Sequence, residues 1–133
     1  MRLWPLSILS QLPRQQLLGQ HRECCALRGK GWGRKHSTVD YVFKHPHWWL
    51  YVYHYEILRE MTRRGYSFDV DWLNQLYRGR ILGFDENLRL EPVRNIRLDS
   101  IYPEHDDAYL DECISNLARK GVKITYPNKE KAA

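Results

Sequence analysis

The sequence predicts an all-α, compact single-domain protein. Three observations predict it. Apolar residues recur every three or four positions in three long segments, and each segment is bracketed by a capping residue and a glycine or proline stop. No stretch shows the sustained alternation of a half-buried strand. The chain has 133 residues and a mass of 16.0 kDa, which fits one domain over 1–133 and excludes a two-domain enzyme or an eight-fold strand–helix barrel.

The first helix is expected over Gln11–Leu27. Ser10 is its expected cap, and Pro13 falls in the first turn, where a missing N–H costs nothing. At 100° per residue, Leu17, Leu18, His21, Cys24 and Cys25 share one side. Gln15, Gln16, Gly19, Arg22, Glu23 and Ala26 share the other, which pattern alone reads as a solvated face. Gly19 stands out, because glycine inside a helix costs roughly 1 kcal/mol against alanine. It suggests a close approach to the backbone at that point.

Arg28 to His36 carries Gly29, Gly31 and Gly33 among Arg28, Lys30, Arg34 and Lys35, and reads as a basic, flexible loop. Ser37 caps a short helix through Phe43, with Asp40 at capping-box spacing. Pro46 ends it. A long helix follows over His47–Arg64, with the stripe Leu50, Tyr53, Ile57, Leu58 and Met61 and a left-handed cap at Gly65. Asp69 caps a further helix through Tyr77. Arg80–Pro103 has no helical period. Asp106 caps a last helix to Lys120, with Leu110, Ile114 and Leu117 inward and Gly121 as its stop. Val122–Tyr126 is expected to be extended, and 129–133 to fray.

Lys plus Arg number 21 and Asp plus Glu 16, so the formal charge is +5 and the pI about 9.2. An anionic partner such as nucleic acid fits this balance, and so does a plain solubility charge. Five Trp, nine Tyr and three Phe suit a packed core, or stacking on unpaired bases. Cys24, Cys25 and Cys113 are odd in number and lack C-x-x-C spacing, so neither a disulfide framework nor a zinc site is expected, and free thiols point to a reducing cytosol. Met1–Leu12 lacks a small-residue cleavage site and is broken by Pro5, so it reads as mature chain. No run of about 18 apolar residues exists, so no membrane partner is expected. His36, His45, His47 and His54 are scattered, and no carboxylate spacing completes a metal-ligand set.

Ser10-Gln11-Leu12, Leu17 and Arg22-Glu23 resemble the first helix of the phage-type endonuclease V family, the pyrimidine-dimer DNA glycosylases with AP-lyase activity. The string from Pro13 through Cys25 is similar to the uncharacterised bacterial members. Arg63-Arg64-Gly65-Tyr66 resembles the end of that family's long helix. Tyr102-Pro103-Glu104-His105 and Leu110-Asp111-Glu112 resemble its last-helix region. The resemblance implies a monomeric all-helical protein acting on damaged double-stranded DNA, without metal or organic cofactor. It implies a terminal amine as nucleophile, here that of Met1, and Glu23 as the carboxylate that supports the cationic intermediate and removes the C2′ proton. An α-amine has a pKa of about 7.7 to 8.0 and is partly neutral at cell pH. A carboxylate stabilises developing positive charge. Arg22 would grip phosphate as a rigid fork, with Arg2, Arg28, Arg34, Lys35 and His36 as further DNA contacts.

The sequence departs from the phage pattern at named positions. Arg2 disfavours methionine removal. Gln16 and Ala26 stand where the family has histidine and arginine, and Tyr109 and Cys113 where it has arginine and lysine. These departures bear on dimer specificity more than on fold. A catalytically inactive DNA-binding relative and a small basic interaction protein are the rival readings.

Overall fold

The computed structural model describes residues 2–34, 39–88 and 101–127. Among the described residues the frame is three α-helices: α1 over Arg14–Arg28, α2 over His47–Arg63 and α3 over Asp107–Arg119. Three short 3-10 helices, Leu6–Gln11, Asp40–Lys44 and Val70–Leu73, lie between or before them. Among the described residues there is no strand, only an isolated antiparallel bridge between Tyr77 and Phe84. The fold is all-α, as the periodicities predict.

The elements differ from expectation mainly at their edges. The helix expected from Gln11 divides at Pro13, which sits at the N-cap of α1 with ψ 161°. Ser10 belongs to the preceding 3-10 helix and caps nothing. Asp69 does cap through its side chain, accepting from the Asp71 N–H, but the element it starts ends at Leu73. Four residues make a single turn, and the run to Tyr77 is irregular because its backbone is bonded elsewhere. Asp106 caps α3 by accepting from the Tyr109 N–H. Gly65 and Gly121 follow α2 and α3 at φ 79° and 84°, the left-handed stops expected. The short helix expected from Ser37 begins in the described structure only at Asp40; Ser37 and the tail 129–133 lie outside the described residues.

α1 and α2 form the central pair. They run antiparallel, with Gln20 against Tyr53 and the end of α1 against His47. The predicted stripe of α2, Leu50, Tyr53, Ile57, Leu58 and Met61, is buried, and Val52 and His54 are buried with it. Leu110, Ile114 and Leu117 of α3 are buried as expected. The amino-terminal residues Leu3, Ile8, Leu9 and Leu12 complete the same core. Arg64 ties α2 to the first 3-10 helix by donating to the carbonyls of Leu9 and Ser10 at 3.1 and 3.2 Å. The Val122–Tyr126 stretch is pinned by reciprocal bonds between Gln11 and the Thr125 backbone.

The glycine-rich segment after α1 is tightly turned up to Arg34. The Gly31 N–H bonds the Ala26 carbonyl at 2.9 Å, and a Cβ on Gly31 would lie 2.7 Å from that same oxygen. Glycine is therefore a steric requirement there.

Candidate active site

Glu23 is the residue whose placement departs most from the pattern reading. It does not lie on a solvated face. It is 5% exposed and flanks the buried arc of α1, beside Leu27 and Gln20. Among the described residues no donor bonds its carboxylate, and its oxygens are not sealed from solvent. A carboxylate so placed is open to an incoming cationic group. Gly19 and Arg22 border it on the solvent side. A Cβ on Gly19 would meet only the Arg22 guanidinium, at 3.8 Å, so no protein group requires glycine there.

Gln20, one turn before Glu23, is 3% exposed and grips the amino-terminal segment. Its Nε2 donates to the Arg2 carbonyl at 3.1 Å, and its Oε1 accepts the Trp4 N–H. Tyr53 of α2 places its hydroxyl 2.6 Å from the Trp4 carbonyl and 2.8 Å from Gln20 Oε1. Tyr109 of α3 donates to the Leu3 carbonyl at 2.8 Å. Sequence reading missed all three of these holders. The available signal was a polar glutamine at an interhelical position, which pattern assigned to neither face.

The expected DNA contacts divide. Arg22 and Arg34 are exposed. Arg2 is paired with Glu112 at 3.0 Å, and its guanidinium lies over the Trp4 ring. Met1, Lys35 and His36 lie outside the described residues.

Arg28 is corrected by the structure: it is fully buried and offers no surface to DNA. Its Nη1 donates to the Trp72 carbonyl and to His54 Nδ1, each at 2.9 Å, and its Nη2 donates to the Asn74 carbonyl at 2.8 Å. The guanidinium is stacked on Tyr51 and Trp72 at 5.1 and 4.9 Å. Burial without a carboxylate pulls its pKa down to about 10, so it remains a cation at neutral pH.

The fold also assembles His21, Cys25 and His54, whose ligand-type atoms lie within 4.8 Å of one another, a constellation the sequence spacing did not reveal. Its chemistry fits a hydrogen-bond chain better than a metal. Arg28 can only donate, so His54 Nδ1 accepts and His54 Nε2 carries the proton. That proton is given to His21 Nδ1, 2.9 Å away. A metal on His54 Nε2 would move the proton to Nδ1, against the Arg28 N–H. Burial pushes the Cys25 thiol up to about 12, away from the thiolate a metal needs. Burial also lowers both imidazoles, aided at His21 by Arg22 and Arg28 and at His54 by Arg28 and His21, so the chain is neutral.

No helix among the described residues is long and apolar enough to cross a membrane. No curated protein and no solved structure matches the chain. The profile of the family described as pyrimidine dimer DNA glycosylase matches residues 1–74, just over half of the 133. These residues contain all of α1, Glu23, Gln20 and α2, and the match shows that the chain belongs to the pyrimidine dimer DNA glycosylases, a family of DNA-repair enzymes.

Proposed function

We propose that this protein excises a damaged base from duplex DNA, with a pyrimidine dimer as the leading substrate. The terminal amine of Met1 attacks the sugar C1′. The glycosidic electron pair leaves with the base, which takes up a proton. The ring oxygen then releases C1′, and an imine links protein and DNA. Glu23 stabilises the cationic sugar and imine as they form. In a subsequent lyase step its carboxylate accepts the C2′ proton, and the 3′ phosphate leaves. Arg22 and Arg34 contact phosphates, joined by Lys35 and His36 from the segment between Arg34 and Val39. No cofactor enters the reaction.

The observation that carries this reading is the nearly buried Glu23, to which no described residue donates, beside an amino-terminal segment held to the same helix. As a purely structural group such a carboxylate has no compensating partner among the described residues. As the counter-charge to a transient cation it does.

The test is single-turnover reaction with a duplex carrying a cyclobutane thymine dimer or an abasic site, with borohydride present. The expected result is a covalent protein–DNA adduct in wild type, and a fall on the order of a hundredfold or more in its rate with Glu23→Gln. Tight binding without adduct or base release would identify a catalytically inactive lesion-binding protein instead.

A further inference from the structure

We infer that the turn 29–34 is a phosphate-binding element in which the indole N–H of Trp32 works beside Lys30 and Arg34. It rests on the reading above that the substrate is duplex DNA, and it adds Trp32 and Lys30 to the residues that hold that substrate.

The turn alternates glycine with three donor-bearing residues: Gly29, Lys30, Gly31, Trp32, Gly33, Arg34. The glycines set its shape. A Cβ on Gly29 would lie 3.0 Å from the Arg78 carbonyl oxygen, and one on Gly31 2.7 Å from that of Ala26. Gly33 has φ 79°, in the left-handed region. The Trp32 N–H bonds the Gly29 carbonyl at 3.3 Å, and the Arg34 N–H bonds that of Gly31 at 3.1 Å, so two turns follow one another. Arg78 secures the entry by donating to the Arg28 and Gly29 carbonyls at 3.1 and 3.0 Å. The Cβ directions of Gly29 and Gly31 thus run into the protein. Lys30 and Arg34, at alternate positions, are exposed.

Trp32 is half-buried against Phe43 and His47, whose ring centroids lie 5.1 and 4.6 Å from its own at 80° and 65°. These contacts hold the ring and leave its polar atom unused. No described residue accepts from the indole N–H, and that group is not sealed from solvent. Among the described residues no carboxylate pairs with Lys30 or Arg34. An indole N–H, an ammonium and a guanidinium donate and never accept. A surface of donors alone matches a ligand of acceptors alone. The DNA phosphate is such a ligand, whereas base edges present donors as well. The turn continues α1 directly. Gly29 lies about 9 Å along the helix axis beyond Glu23, at about 1.5 Å per residue. That is roughly two to three nucleotides of one strand at about 3.4 Å each.

Binding is measured with the full chain on an undamaged duplex and on the same duplex carrying a tetrahydrofuran abasic analogue, which lacks the C1′ oxygen and forms no imine. Trp32→Phe keeps a ring against Phe43 and His47 but has no N–H. It should weaken both duplexes by the same factor, about tenfold, because phosphate contacts position DNA and read no base. Its salt slope should stay at the wild-type value, since no charge is removed. Lys30→Ala should lower the slope of log affinity against log salt by about 0.9. In wild type the Trp32 indole proton resonance should move downfield when undamaged duplex is added. Wild-type affinity in Trp32→Phe overturns the inference, as does an unmoved indole resonance or an unchanged slope in Lys30→Ala. A loss confined to the abasic duplex also overturns it, because Trp32 would then read damage. If Trp32→Phe loses helix content, the wild-type indole resonance and the Lys30→Ala slope decide. Duplex binding that depends on Trp32 and Lys30, with no borohydride adduct on a thymine-dimer duplex, would overturn the proposed function and leave this inference standing.

Discussion

Arg28 donates to His54 Nδ1 at 2.9 Å, and this one bond decides the state of a chain that runs through His54 to His21. An arginine at the end of α1 and a histidine in the middle of α2 thereby lock the two helices through a buried cation with no acidic partner. The carbonyls of Trp72 and Asn74 stand in for the missing carboxylate.

Arg28→Met should destabilise the protein by at least about 3 kcal/mol, because the acceptors at His54, Trp72, Asn74 and Tyr77 lose their donor inside the fold. Arg28→Lys should fare little better, since an ammonium cannot span the same acceptors with a planar fork. Urea unfolding followed by circular dichroism measures both. Near-wild-type stability in Arg28→Met would mean the buried cation is dispensable.

Glu23→Gln should leave stability within about 1 kcal/mol of wild type while abolishing most turnover. The amide keeps the carboxylate's volume, and no hydrogen bond from a described residue is lost. Duplex binding should tighten, because a negative charge near phosphates is removed. Thermal unfolding and a binding titration on the same preparation check the pair; a strongly destabilised variant contradicts this account.

Two glycines should respond with opposite sign. Gly31→Ala forces a Cβ to within 2.7 Å of a backbone oxygen and should cost about 1–3 kcal/mol. Gly19→Ala meets only the mobile end of Arg22 and should gain up to about 1 kcal/mol. If duplex DNA approaches the helix at Gly19, that same variant should bind more weakly despite its greater stability. Unchanged binding would place the DNA elsewhere on α1.

Stability should fall as pH drops from about 6.5 toward 4. Burial lowers His47 and His105 to about 4, and it lowers His54 well below its ordinary value of 6.5. Between 6.5 and the folded values the unfolded chain binds these protons and the native state does not. Stability therefore rises with pH across that window and is lost on acidification, by about 1.4 kcal/mol per pH unit for each proton. Urea midpoints at pH 7, 6 and 5 measure it, and a flat profile would contradict burial of neutral imidazoles.

Removing an exposed phosphate contact should change salt dependence rather than stability. Arg22→Ala and Arg34→Ala should each reduce the slope of log affinity against log salt by about 0.9. Identical slopes in wild type and both variants would exclude this face as the DNA surface.

The helices and much of the core are local in origin. The stripe Leu50, Tyr53, Ile57, Leu58 and Met61 and the trio Leu110, Ile114 and Leu117 are read from a period near 3.6, and their burial follows from local geometry. The caps at Asp69 and Asp106 and the stops at Gly65 and Gly121 are equally local, since each depends on residues a few positions away. The motif Arg22-Glu23 was legible by resemblance. Its burial was not, because Glu23 falls at the margin of an arc whose width depends on what covers the helix. That Arg28 turns inward follows from tertiary packing alone, since one-sided periodicity counts an arginine as surface and cannot foresee two carbonyls and two aromatic rings arriving from 51 to 74. The same holds for the grip of Gln20, Tyr53 and Tyr109 on residues 2–4. Those bonds join positions 16 to 106 apart in sequence, and a side chain's partner at that distance is set by how the helices pack, which no local pattern encodes.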